Sequence, residues 1–307
     1  MKNYSYLFII ICFTFLGCKT TTVENTKNQQ DVIEKEENKD VHVVLLAGQS
    51  NMQGAGNFDA LDPTEIKRIE KIASRVSLSF NGKKVIPLAA YNNKPSKKYN
   101  FLKRFGPEIF IGLTLAENNP KQEFLLIKRS QGGTALYGAW NPNWTAEKAK
   151  AVEKKKKQNI QLYNMHIADI KANLEALKTQ NKTYKIIGLA WMQGENDAAI
   201  EVSARTYEAN LKVLIKSYRE AFGVKNMPFV LGQINSRYGK FKKLGPAMVR
   251  KAMEDVAMSD KYVDVIKTSM DDSWSDYPKH SDNVHYNAEG QRGLGIAFGS
   301  KLLALQE

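Results

Sequence analysis

The 307-residue chain is poor in cysteine: it has two, Cys12 and Cys18. Both lie near the N-terminus, so no thiol remains downstream for a disulfide, a thiolate metal site or a cysteine nucleophile. Histidine is almost as scarce, with four residues at positions 42, 166, 280 and 285, and any imidazole chemistry must come from these. Long apolar runs are missing too. Residues 4–16 are the best candidate, but they are too few to span a bilayer and follow the positive Met1-Lys2-Asn3, which reads as an export signal. Acidic residues are outnumbered, 32 against 45 Lys and Arg, for a net charge of +13. The run Lys154-Lys155-Lys156-Lys157 is the densest basic stretch. The remaining lysines are scattered and no nucleic-acid motif accompanies them, so the run reads as a solvated face and nucleic acid is not expected as a partner.

The export signal closes on Phe15-Leu16-Gly17-Cys18, which resembles the lipobox of bacterial lipoproteins. The resemblance implies a signal peptide over 1–17, cleavage before Cys18 and a lipid on its sulfur. Residues 18–40 are polar and mixed in charge, as in a flexible tether. The expected location is the cell envelope, with the protein held to a membrane by its lipid. Residues 41–307 then form one domain, long enough for a sizeable core and without internal repeats.

Within that domain, five apolar runs at 41–47, 123–128, 185–192, 227–234 and 262–268 read as strands buried on both faces. Helical periodicity lies between them. Ile160, Tyr163, Ile167, Ile170, Leu174 and Leu177 repeat at three and four, as do Tyr207, Leu211, Leu214, Tyr218 and Phe222. Further helices are expected over 107–118, 246–258 and 288–303, the last capped by Asn287. Alternation of strand and helix predicts a three-layer α/β/α sandwich with a mainly parallel five-stranded sheet. Residues 55–105 and 137–157 read as long irregular loops.

Polar segments follow the strands. The first is Gly48-Gln49-Ser50-Asn51, the second Arg129 to Thr134, the third Trp191 to Asp197, and Asp282-Asn283-Val284-His285 precedes the last helix. Open α/β sheets bind ligands at the carboxyl ends of their strands, so these segments converge on one site. A serine needs a base to become a nucleophile. Of the four histidines, His42 starts a strand and reads as a packed or edge residue, His166 is assigned to the polar side of its helix, and His280 is possible but lacks an acid at short spacing on its C-terminal side apart from Asp282. Asp282-x-x-His285 brings a carboxylate near Nδ1 and leaves Nε2 for Ser50. Met52 stands where a G-x-S-x-G elbow needs glycine, which excludes the α/β-hydrolase type. A metal cluster of His280, Asp282 and His285 is the competing arrangement, but nothing is placed to complete a tetrahedral site, and no metal or other cofactor is expected.

The combination GQSNM at 48–52, FGPE at 105–108, GGT at 132–134, WMQGEND at 191–197 and DNVH at 282–285 resembles the SGNH hydrolases, in the branch of sialate O-acetylesterases and acetylxylan esterases. The resemblance spans nearly all of 41–303. It implies a flavodoxin-like fold, Ser50 as nucleophile, His285 as base and Asp282 as its orienting acid. The oxyanion donors it implies are the backbone of Ser50 and Gly133 with the amide of Gln193 or Asn196; Gln193, directly after the strand, is preferred. Gln49, Glu195, Trp140 and Trp144 are candidate substrate contacts, the tryptophans as sugar-stacking faces together with Tyr137. The implied activity is removal of O-acetyl groups from carbohydrates. Two alternatives are a lipid-anchored glycan-binding protein without catalysis, and a lipase or thioesterase of the same superfamily. The polar, aromatic character of 91–104 and 137–157 favours a small acyl group over the latter.

Overall fold

A computed structural model describes residues 40–306 except Asp272. The expected signal peptide, Cys18 and all but the last residue of the tether lie outside the described residues. The strands are β1 (Val41–Gly48), β2 (Gly56–Asn57), β3 (Val76–Phe80), β4 (Ile86–Pro87), β5 (Tyr91–Asn92), β6 (Lys103–Phe105), β7 (Phe124–Ser130), β8 (Tyr184–Met192), β9 (Phe229–Gly232) and β10 (Val263–Ile266). The helices are α1 (Ser50–Gln53), α2 (Pro63–Ile72), α3 (Glu108–Asn118), α4 (Ala146–Val152), α5 (Leu162–Thr179), α6 (Glu195–Ala198), α7 (Glu201–Arg205), α8 (Tyr207–Phe222), α9 (Gly245–Ser259) and α10 (Ala288–Ala304).

Seven strands form the main sheet in the order β10-β9-β8-β1-β7-β3-β4. All neighbours pair in parallel except the edge strand β4, which runs antiparallel to β3. β1 is fully flanked, and its residues alternate between two cores as strand geometry demands. Val43, Leu45 and Ala47 pack with α5, α8 and α9 on one face. Val44 and Leu46 pack with α2, α3 and α10 on the other. That is the α/β/α sandwich the periodicity predicts.

All five expected strands are present, but the sheet is wider than expected. β3 and β4 extend it beyond β7, and both lie in 55–105, the stretch read as irregular. The signal was there in Val76-Ser77-Leu78-Ser79-Phe80, whose alternation marks a strand. The same stretch holds α2, capped by Asp62, whose carboxylate accepts from the Thr64 amide at 2.7 Å. α4 likewise interrupts 137–157. Asn287 caps α10 as expected, accepting from the Gly290 amide. Among the described residues, no helix is long and apolar enough to cross a membrane.

Candidate active site

Three adjacent strands, β8, β1 and β7, deliver their carboxyl ends to one place. Backbone hydrogen bonds stitch them beyond the ladder: Gln49 N donates to Met192 O at 3.0 Å and Gln131 N to Gly48 O at 3.2 Å. Gly48 permits this approach, since a Cβ there would collide with the Met192 carbonyl. Ser50 follows at the first turn of α1, partly exposed between two buried neighbours. Gln49 Nε2 donates to Glu195 Oε2 at 2.5 Å, and Asn51 Nδ2 donates to Glu195 Oε1 at 2.7 Å. One buried carboxylate thus holds the side chains on both sides of the serine. Burial pushes the Glu195 carboxyl up, and the hydrogen bonds from Asn51 and Gln49 oppose it.

The other end of α1 is held from below. Lys128 and Glu108 form a fully buried ion pair at 2.5 Å, and Lys128 also donates to Gln53 O at 3.2 Å. Glu108 Oε1 accepts from Gly106 N at 3.0 Å, which explains the FGPE segment as a brace for the serine turn. Tyr91 Oη adds a second donor to Gln53 O.

Asn51 also links the serine turn to the histidine loop. Its Nδ2 donates to Val284 O at 3.1 Å and its Oδ1 accepts from Tyr286 N at 3.3 Å, so both chain neighbours of His285 are tied to the residue after Ser50. His285 Nδ1 lies 2.7 Å from Asp282 Oδ2. Asp282 Oδ1 accepts from the amides of Val284 and His285, each at 2.9 Å. Burial alone would raise the Asp282 carboxyl, but these amides, Lys98 and the imidazole hold it well below the usual carboxylate range. Burial pushes the His285 imidazole down; Asp282 opposes this, while Lys98 and Arg104 add to it.

The second strand end supplies Gly132 and Gly133. A Cβ at Gly132 would sit 3.3 Å from Ser50 Cβ, which places this turn beside the serine. Gly133 has φ +61°, a left-handed conformation that favours glycine. Lys157 Nζ donates to Gly132 O, and to Gly133 O at 3.1 Å. A trans peptide directs its N–H opposite its carbonyl, so the Gly133 N–H faces away from Lys157. The basic run therefore divides: Lys154, Lys155 and Lys156 are exposed, whereas Lys157 is turned inward.

The preferred oxyanion donor does not fit its place. Gln193 is fully buried, and its Nε2 donates both to Thr134 O at 2.9 Å and to Asp197 Oδ2 at 2.5 Å. Its Oε1 accepts from Tyr207. Both amide hydrogens are taken in the interior. Asn196 is partly exposed; among the described residues its Nδ2 reaches only Val152 O, at 3.5 Å, and its Oδ1 accepts from Tyr238 Oη at 3.3 Å. Asp197 is the hub of this block. It also accepts from the amides of Leu136 and Tyr137 and from Ser203 Oγ, and so fixes the chain after the glycine turn.

The substrate contacts expected from sequence also change. Gln49 and Glu195 are each 2% exposed and bound to one another, so they are scaffold and not substrate-facing groups. Trp140 is wholly buried, edge-on to Trp191 at 5.3 Å between ring centres, and cannot stack on a sugar. Trp144 is partly exposed but its Nε1 is buried. His166 is not on a polar face. It lies in the core between Tyr218 Oη and Ile127 O, and burial pushes it down to about 3. His42 packs edge-on against Phe124. His280 turns its Nε2 to Ala55 O at 2.9 Å. Among the described residues, no group of three or more His, Cys, Asp and Glu is gathered as a metal would need. Asn51, Lys98, Lys157 and Asp197 were not foreseen as parts of the site. Asn51 and Asp197 lie inside quoted motifs; Lys98 and Lys157 come from loops whose spacing carries no signal.

A parallel α/β/α sheet carrying a serine, a histidine and an aspartate beyond its strand ends defines an SGNH-type esterase scaffold. The chain belongs to the carbohydrate esterase family described as sialic acid-specific acetylesterase, which matches residues 40–304. It is 26% identical over 120 residues to a probable carbohydrate esterase of Arabidopsis thaliana, a stretch covering 39% of this chain and 41% of that protein. The X-ray structure of an Arabidopsis thaliana protein is similar at TM-score 0.62 and 21% identity, over 87% of this chain and 99% of the other. The protein NanS is similar at TM-score 0.59 and 14% identity, over 87% and 98%. A carbohydrate acetylesterase from Xanthomonas citri is similar at TM-score 0.56 and 17% identity, over 87% of this chain and 57% of that one. At these identities, the structural likeness establishes the fold.

Proposed function

We propose that this protein is a serine esterase that removes O-acetyl groups from carbohydrates, with Ser50, His285 and Asp282 as its triad. The observation that carries the reading is the pair of hydrogen bonds by which Asn51 donates to Val284 O and accepts from Tyr286 N, which fixes the Ser50 turn against the His285 loop while Asp282 orients the imidazole. Ser50 Oγ attacks the acetyl carbonyl as His285 Nε2 takes its proton. The oxyanion is received by the N–H groups of Ser50 and Gly133 and the Asn196 amide; the first-turn amide of a helix has no intrahelical acceptor. His285 then returns the proton to the departing sugar oxygen. Water, deprotonated by the same imidazole, releases acetate and restores the serine.

Family membership and the polar mouth support an acetylated carbohydrate as substrate. For residues 1–40 we propose a signal peptide, a lipid on Cys18 and a tether to a membrane, supported by the lipobox-like sequence. Two measurements test the function. Wild type should hydrolyse aryl acetate much faster than aryl octanoate and release acetate from acetylated glycans, and Ser50→Ala should abolish both while keeping its melting temperature. Activity of Ser50→Ala within tenfold of wild type would remove Ser50 from its role. Loss of palmitate labelling in Cys18→Ala, against a labelled wild type, tests the anchor.

A further inference from the structure

The triad loop has a second side. Asp282, Asn283 and Val284 form one wall of a cavity of about 400 Å³ whose other walls are Asn235, Ser236 and Arg237 after β9, and Trp274 with Tyr277 on the loop after β10. That volume falls within the roughly 300–1,000 Å³ of small-molecule sites. Nothing in the esterase mechanism uses it.

Its lining has unmet hydrogen-bonding capacity. Ser236 is 4% exposed, and its Oγ is buried without a partner among the described residues. A buried hydroxyl left so is costly unless a ligand or water completes it. Asn235 is 6% exposed and its Oδ1 accepts from Tyr286 Oη at 3.0 Å, while its amide hydrogens meet no acceptor among the described residues. Trp274 is partly exposed and braced edge-on by Tyr277 at 5.5 Å between ring centres. Tyr277 is in turn braced by Tyr286 at 6.4 Å. A rigid aromatic beside an amide and a hydroxyl is the donor set of a sugar site, since the ring covers C–H faces and the polar groups meet hydroxyls. Charge in the lining is mixed, with Arg237 and Lys279 against Asp271 and Asp282, which suits an uncharged ring.

We propose that this cavity is a carbohydrate subsite that holds a neutral sugar ring joined to the one being deacetylated. The assignment rests on the esterase reading, because the shared wall of Asp282, Asn283 and Val284 puts the ring next to the triad. It also supplies the sugar-stacking aromatic that Trp140, in the core, cannot be.

The test compares acetylated xylo-oligosaccharides and acetylated sialyllactose, each against its acetylated one-ring counterpart. Wild type should favour the longer substrate in at least one series by about tenfold in kcat/KM, mainly through KM. Trp274→Ala should bring that ratio close to one, and Trp274→Phe should keep most of it. No length preference in either series, or a preference that survives Trp274→Ala, would overturn the subsite. If no acetyl ester is hydrolysed, the esterase reading fails instead. Calorimetric titration of wild type and Trp274→Ala with unacetylated xylotetraose and sialyllactose then decides the subsite alone. Binding lost in the variant supports it; no binding by wild type overturns it.

Discussion

Lys98 Nζ stands 2.7 Å from Asp282 Oδ2, the same oxygen that receives the Nδ1–H of His285. The lysine neutralises part of the triad carboxylate and places a positive charge 3.1 Å from the imidazole. Both effects favour a neutral His285, which is the form that can accept the serine proton.

Lys98→Met should therefore shift the acid limb of the kcat/KM profile. His285 is a base with its pKa already below the ordinary value, so activity falls only as pH drops through that lowered pKa. Removing a cation raises the pKa, and the acid limb should move to higher pH. Lys98→Arg should leave it in place. A Lys98→Met profile that superimposes on wild type would show that the ion pair exerts no influence on the base. Half the lysine side chain is exposed, so added salt should shrink the difference.

Lys157→Met should lower kcat by about tenfold to a hundredfold with little change in KM, because the Gly132 and Gly133 carbonyls lose the group that orients their peptide. Steady-state kinetics on aryl acetate separate the two constants. A rise in KM at unchanged kcat would mean that Lys157 touches substrate and not the oxyanion turn.

Gln193→Ala and Asn196→Ala should fail in different ways. Asn196→Ala should keep its melting temperature and lose about 10²–10³ in kcat, as for other oxyanion donors. Gln193→Ala leaves Thr134 O and Asp197 short of a donor, while Tyr207 keeps its bond to the backbone carbonyl of residue 193, and should lose about 1–3 kcal/mol of stability. Chemical denaturation and kinetics on the same preparations check both halves. A stable Gln193→Ala with a crippled kcat would return the donor role to Gln193.

Glu153 gives a stability signature. Its Oε1 accepts from the Ala135 and Ala139 amides, yet burial pushes its carboxyl up to about 7. A carboxyl whose folded pKa lies above its unfolded value contributes stability that is full below the unfolded pKa, near 4.5, and lost as pH rises through 7. Wild type should lose about 3 kcal/mol across that window relative to Glu153→Gln, whose slope should be flatter. Equal slopes in urea titrations at pH 4.5 and 7.5 would refute the assignment.

The parallel core was legible because its strands are built on apolar runs without strict alternation and its helices keep a clean period; β1 and α8 needed nothing else. The stretch 55–105 misled because long polar segments hide short elements: β3 has five residues and α2 ten. In the site, Ser50, Asp282 and His285 could be singled out because the chemistry demands those types and few histidines compete. The amide donor could not be settled that way. Gln193 and Asn196 are equivalent in a sequence, and only their surroundings separate them: the Gln193 amide is spent in the core, whereas Asn196 is partly exposed and its amide makes one long bond. Trp140 failed for a related reason, since an aromatic in a loop reads the same whether its ring meets solvent or another tryptophan.

Glu195 adds a consequence for engineering around the serine. Because one carboxylate accepts from both Gln49 and Asn51, neither flanking residue contributes independently. Removing either leaves the carboxylate half-satisfied in a dry interior, and removing the second then costs less than it did alone. Substitutions at 49 and 51 should be strongly non-additive, with a double-mutant coupling energy well above that of any surface pair. Variation of this turn is thus confined to joint changes at all three positions, which leaves the surrounding loops as the part of the molecule free to diverge toward new sugars.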